Sequence, residues 1–115
     1  TEQKEDYPMS WTTICKLDDI LPNTGVAALV DETQVAIFRV NDAVYALANK
    51  DPFSNANVLS RGIVCSIQGT LVVASPIYKQ HFSLEAGKCL EDDSVSIASY
   101  EARTEGDSVQ IRISH

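Results

Sequence analysis

An all-β domain, built as an antiparallel sandwich or partly closed barrel of roughly nine or ten short strands with two long loops at one end, is what this sequence predicts. Three observations carry that expectation. Apolar residues nowhere keep a 3.6-residue period for a dozen positions, so no amphipathic helix is indicated. Short runs rich in Val, Ile, Thr and aromatic residues recur at close intervals, separated by Gly, Pro, Asn and Asp. Near the C-terminus, Val109, Ile111 and Ile113 alternate with Gln110, Arg112 and Ser114, the period of a strand buried on one face.

Taken in order, residues 1–9 are polar, contain Pro8 and show no period, which predicts a mobile tail and leaves 10–115 as one folded domain. The run 11–17 reads as a strand, and 18–25, with Asp18, Asp19, Pro22, Asn23 and Gly25, as a loop. Strands are expected at 26–30, 34–40 and 44–48. The second and third flank Asn41-Asp42, a weaker hairpin signal than Asn-Gly, and together the three suggest a meander.

Strands at 63–67 and 70–74 flank Gln68-Gly69, a further hairpin signal. Short strands are expected at 82–84 and 88–90 around Glu85-Ala86-Gly87. A final hairpin pairs 97–103 with 108–113 across 104–107. The one candidate for a helical turn is 55–59.

The composition narrows the function classes. A chain of 115 residues, 44% hydrophobic and 22% charged, suits one globular core rather than two. Nine Lys and Arg against sixteen Asp and Glu give a net charge of −7, the opposite of a nucleic-acid footprint. Cys15, Cys65 and Cys89 are odd in number and include no Cys-x-x-Cys pair, so neither a disulfide framework nor a zinc site is indicated. No 18-residue apolar run is present, and Thr1 to Asp6 are polar or charged rather than the apolar core of a signal segment. The expectation is a cytoplasmic protein with reduced thiols and no membrane or nucleic-acid partner.

Catalytic motifs are missing. There is no G-x-S-x-G, P-loop or G-x-G-x-x-G. Apart from the terminal residue His115, His81 is the only histidine in the expected fold, and one imidazole does not make a metal site. Cys65 and Cys89 lie in apolar strand contexts that suit packing more than nucleophilic chemistry. Asp18-Asp19 and Asp92-Asp93 sit where Asp serves turns.

Attention therefore falls on two Pro-marked loops, 51–62 and 75–87, each following an apolar run and separated by an expected hairpin that returns the chain to the edge it left. Their segments Ala46-Leu47-Ala48-Asn49-Lys50-Asp51-Pro52-Phe53, Val58-Leu59-Ser60-Arg61-Gly62 and Ser75-Pro76-Ile77-Tyr78-Lys79-Gln80-His81-Phe82 resemble the paired cluster-binding loops of Rieske iron–sulfur domains. In particular they resemble the small subunits of bacterial NADH-dependent nitrite reductases, over about 11–113. The family pattern is Cys-x-His in the first loop and Cys-x-x-His in the second. Aligned on the shared prolines, those positions fall at Asp51, Phe53, Ser75 and Tyr78.

A Rieske centre needs two thiolates and two imidazoles. A phenyl ring cannot ligate, and carboxylate, hydroxyl and phenol are hard donors unsuited to a sulfide-bridged cluster. The resemblance thus implies a Rieske-like domain with no [2Fe-2S] cluster, no metal and no catalytic residue. It implies a large partner subunit carrying FAD, a [4Fe-4S] cluster and sirohaem that takes nitrite to ammonium.

Two roles stay open for the former ligand positions. Phe53 and Tyr78 can fill the cluster's volume while Asp51 and Ser75 hold loop amides. Alternatively, Phe53, Tyr78, Lys79, Gln80 and His81 can face a partner, since aromatic residues bring large contact area at low entropy cost. Two other functional classes compete with the accessory subunit: an electron-transferring Rieske ferredoxin, which iron content would reveal, and a free-standing regulatory or binding β domain, which would purify without a large flavoprotein.

Overall fold

The structure is a computed structural model that describes residues 11–113, so the expected tail at 1–9 and His115 lie outside the described residues. Among the described residues there are eleven strands: β1 (Thr12–Lys16), β2 (Thr24–Val30), β3 (Thr33–Val40), β4 (Ala43–Ala48), β5 (Lys50–Asp51), β6 (Ala56–Asn57), β7 (Ile63–Ile67), β8 (Thr70–Ala74), β9 (His81–Ser83), β10 (Ser99–Glu105) and β11 (Ser108–Arg112). The expected all-β class holds. Two single 3-10 turns, Leu17–Asp19 and Leu59–Arg61, are the only helical segments among the described residues.

Six strands form one antiparallel sheet in the order β1-β11-β10-β4-β3-β2. All six contribute side chains to one apolar cluster that includes Val30, Val35, Ile37, Ala46, Val109 and Ile111, so the sheet curls around its own core as a nearly closed barrel. Its open seam runs between the edge strands β1 and β2, where a groove of about 520 Å³ lies between residues 12–15 and 26–29.

A second sheet, β7-β8-β9, packs on the outside of β3 and β4. Strand β3 explains the junction. Its run Val35-Ala36-Ile37-Phe38 is apolar at every position, and alternation sends Val35 and Ile37 into the barrel and Ala36 and Phe38 into the second core, with Leu47, Leu59, Val73 and Phe82. Gly62 lets the chain enter β7 close to β8, because a Cβ there would stand 2.3 Å from the Ala74 carbonyl oxygen.

The turns follow the residues that specify them. Gln68 and Gly69 both adopt positive φ, 51° and 85°, the two-residue hairpin geometry that matches strand twist. Asp31 and Glu32 do the same at 49° and 67°, without a glycine.

Three expectations are corrected. Residues 88–90 form isolated bridges, Phe82 with Cys89 and Lys88 with Ser96, rather than a strand. The Cys89 amide bonds to the Val95 carbonyl and the Leu90 amide to that of His81, so successive residues serve different neighbours and no ladder extends. The helical turn expected at 55–59 falls instead at Leu59–Arg61, because Ala56–Asn57 pair back on Lys50–Asp51. The last hairpin is shifted to Ser99–Glu105 and Ser108–Arg112, turning on Gly106 at φ 63°.

Candidate functional site

The two loops share one construction. In the first, the Asp51 Oδ1 accepts the Phe53 amide at 2.8 Å, the Asp51 carbonyl accepts the Asn55 amide at 2.7 Å, and Asn55 takes a left-handed φ of 64°. In the second, the Ser75 Oγ accepts the Ile77 amide at 3.3 Å, the Ser75 carbonyl accepts the Lys79 amide at 3.1 Å, and Lys79 takes φ 69°. Each loop is thus a side-chain-capped turn of five residues opened by a short polar residue, the role that Asp and Ser play in such turns.

Both opening residues are fully buried, and the Ser75 hydroxyl donates to Asp51 Oδ2, so the loops are bolted to each other. The Ser75 amide also donates to the Gln80 carbonyl at 2.9 Å, closing the second loop. Asn49, 2% exposed, fixes the base of the first. Its Oδ1 accepts the Ser60 amide at 2.7 Å, its Nδ2 donates to the Asn57 carbonyl at 3.2 Å, and its carbonyl accepts the Leu59 amide at 3.0 Å.

With the openers inside, the tips point outward. Phe53 is 36% exposed, its ring 6.3 Å from that of Phe82, and Tyr78 is 58% exposed. Asp51 and Ser75 hold loop amides as expected, and hold each other as well. Tyr78 does not fill an interior volume.

Lys79 is exposed and Gln80 half-buried, with the Gln80 Oε1 enclosed and lacking a hydrogen-bond partner. His81 opens β9 and is tied to Glu91: its amide donates to Oε1 at 2.8 Å, and its Nδ1 lies 2.5 Å from Oε2. Cys89 Sγ is 3.7 Å from the same Oε1. Partial burial pushes the Glu91 carboxyl up, but the hydrogen bonds and charge of His81 outweigh it and hold the pKa below the ordinary value.

Sequence reasoning missed Glu91, Ile77 and Leu90. Glu91 lies ten residues from His81, and nothing local marks the pairing. Ile77 and Leu90, 43% and 38% exposed, read in a sequence as ordinary core residues, although both extend the apolar surface of this end.

These residues do not fit a [2Fe-2S] cluster. The Asp51 and Ser75 oxygens are engaged in the bolt and the loop amides, Phe53 has no donor atom, and Tyr78 offers only a phenol. No group of three or more His, Cys, Asp or Glu side chains suited to a metal ion occurs among the described residues.

The family described as Rieske-like [2Fe-2S] domain matches residues 10–112. The nitrite reductase (NADH) small subunit of Escherichia coli K12 is 53% identical over 104 residues, covering 89% of this chain and 96% of that protein. The solution structure of the nitrite reductase small subunit from Erwinia carotovora superposes with a TM-score of 0.79 at 55% identity, covering 91% of this chain and 82% of that one. A nitrite reductase large subunit from Klebsiella oxytoca contains a related segment, 39% identical over 101 residues, that spans 88% of this chain and 11% of that protein. The chain belongs to the Rieske-like [2Fe-2S] domain family and, within it, to the nitrite reductase (NADH) small subunits.

Proposed function

We propose that this chain is a non-redox accessory subunit of a cytoplasmic NADH-dependent nitrite reductase and that its loop end docks on the large subunit. The chemistry, six electrons from NADH to nitrite to give ammonium, belongs to that partner, with its FAD, [4Fe-4S] cluster and sirohaem. Phe53, Tyr78, Lys79, Gln80 and His81 make the contact, joined by Ile77 and Leu90. The small chain favours one conformation of the large one by binding it better, the way in which any ligand shifts a conformational equilibrium.

One observation carries this reading. The Asp51–Ser75 bolt takes two groups inward that in a Rieske centre would face a cluster, and the same turns leave Phe53, Ile77 and Tyr78, each within three residues of a bolt residue, exposed. A loop pair locked by its own hydrogen bonds presents a preorganised surface, which lowers the entropy cost of association. The related segment within the Klebsiella large subunit supports the choice of partner, since there the two units share one polypeptide.

The test is co-purification with the large subunit together with iron analysis. An iron-free, colourless chain that binds the large subunit and raises its nitrite-dependent NADH oxidation is the expected result. Stoichiometric iron with a visible absorption spectrum would overturn the non-redox role. Failure to bind would overturn the subunit role.

A further inference from the structure

Strand β2 ends the six-stranded sheet without the features that keep an edge from pairing. Its seven residues, Thr24–Val30, include no charge and no proline, and no bulge interrupts their register with β3. The other edge of that sheet, β1, carries a bulge between Thr13 and Cys15 and ends in Lys16. The two-residue turn Asp31-Glu32 closes on the Val30–Thr33 pair, so Val26, Ala28 and Val30 exchange hydrogen bonds with β3. The N–H and C=O groups of Gly25, Ala27 and Leu29 therefore point the other way, into the groove beside β1, and β2 has no second strand neighbour among the described residues.

Side chains of the same strand divide between its faces. Val26 and Ala28 turn toward the barrel core, whereas Ala27 and Leu29 are exposed, Leu29 by 66%. Gly25 shares their outer face, where Phe38 and the Ser60 carbonyl leave no room for a Cβ. The second sheet also ends on an uncharged strand, β7, but only Val64 and Ser66 point away from β8 there.

We propose that β2 pairs antiparallel with β2 of a second copy of this chain, about a two-fold axis through Ala27. A two-fold contact sets one surface against itself, so the edge has to be self-complementary, and this one is. Ala27 meets Ala27, and the exposed Leu29 of each copy stands opposite Gly25 of the other, so a bulky side chain faces a residue that has none. Every outward N–H and C=O of Gly25, Ala27 and Leu29 is then bonded. Moving the axis to Val26 or Ala28 would instead set Leu29 opposite Asn23 or Gly25 opposite Asp31, beyond the ends of β2. Charge agrees with the register: Asp31 and Glu32 face Asn23 and Pro22 of the copy, so no two carboxylates stand opposite each other. The pairing uses neither loop tip and is independent of the docking of the loop end on the large subunit.

Sedimentation equilibrium of the full chain, from micromolar to millimolar concentration, tests the proposal. A reversible dimer is expected, strengthened by salt because each copy carries a net charge of −7. Ala27→Lys changes an exposed side chain and sets like charges face to face, so it is expected to raise the dimer Kd roughly tenfold or more. An equal mixture of Ala27→Lys and Ala27→Glu is expected to recover the dimer, since the two positions stand opposite each other only in this register. Leu29→Lys, on the same exposed face, is expected to weaken the dimer as well and takes its place if Ala27→Lys does not fold. A monomer at every concentration would overturn the pairing, and loss of large-subunit binding by Ala27→Lys would then assign the edge to that partner. A dimer indifferent to both lysine variants would overturn the choice of edge, and one that the mixture fails to restore would overturn the register.

Discussion

Ser75 and Asp51, twenty-four residues apart, meet in a buried hydrogen bond that joins two loops of identical construction. Removing one partner leaves the other without its bond in a site from which water is excluded. Asp51→Ala and Ser75→Ala are each expected to cost about 1–3 kcal/mol in urea unfolding. The two losses are expected to be non-additive by at least about 0.5 kcal/mol in a double-mutant cycle, the mark of residues in direct contact.

Glycines separate steric from conformational cost. A Cβ at Gly62 would collide with the Ala74 carbonyl and with Val73, whereas one at Gly106, φ 63°, meets nothing within 4 Å. Gly62→Ala is expected at the upper end of the ~1–3 kcal/mol typical of overpacking. Gly106→Ala should cost about 1 kcal/mol, from its backbone conformation alone. Thermal melts of the two variants check the order.

Lys79 is a lysine where the backbone favours Gly or Asn. Lys79→Asn is expected to stabilise the isolated domain by a few tenths to about 1 kcal/mol, by relieving left-handed strain. The same change should slow association with the large subunit. Paired melting and binding measurements would show stability and docking moving in opposite directions, as expected where a strained residue serves a site.

Acid should weaken the lock between His81 and Glu91. The Glu91 pKa is held below its ordinary value of 4.5, so the folded state binds fewer protons at this carboxyl than the unfolded chain does near that pH. The stability it contributes is full above that value and is lost as pH falls through the lowered one. The advantage of the native chain over Glu91→Gln is expected to persist at about pH 6 and to fade by about pH 3. Melting curves across that range measure it.

Much of this fold was legible in the sequence because alternation and turn residues are local. Val109, Ile111 and Ile113 announced a strand with one buried face, and Gln68-Gly69 announced the turn that forms. Short elements were harder. Residues 88–90 follow a turn at Glu85-Ala86-Gly87 as a returning strand would, but the Cys89 and Leu90 amides bond to Val95 and His81 on different sides, which depends on distant chain. The loops showed the same divide. Asp51, Phe53, Ser75 and Tyr78 were marked by their frame, and the amide-holding roles of Asp51 and Ser75 follow from residue type. The bolt between them, the Glu91 partner of His81 and the exposure of Ile77 and Leu90 arise from tertiary placement, which no local pattern encodes.

Phe53 and Tyr78 should matter more to binding than to folding. Phe53 is 36% exposed and Tyr78 58% exposed. Tyr78→Ala is expected to change stability by less than about 0.5 kcal/mol, as is usual for exposed positions. At the centre of an interface the same truncation costs about 2 kcal/mol or more. Isothermal titration with the large subunit, beside a melting curve, separates the two effects.

The central claim is that the loop end makes this chain a working part of nitrite reductase without a redox centre of its own. The most direct test is nitrite-dependent NADH oxidation by the purified large subunit, titrated with the native chain and with Phe53→Ala/Tyr78→Ala after both are shown to be folded and iron-free. The account predicts stimulation that saturates with the native chain and requires a much higher concentration of the variant. No stimulation by the native chain, or equal stimulation by the two, would contradict it.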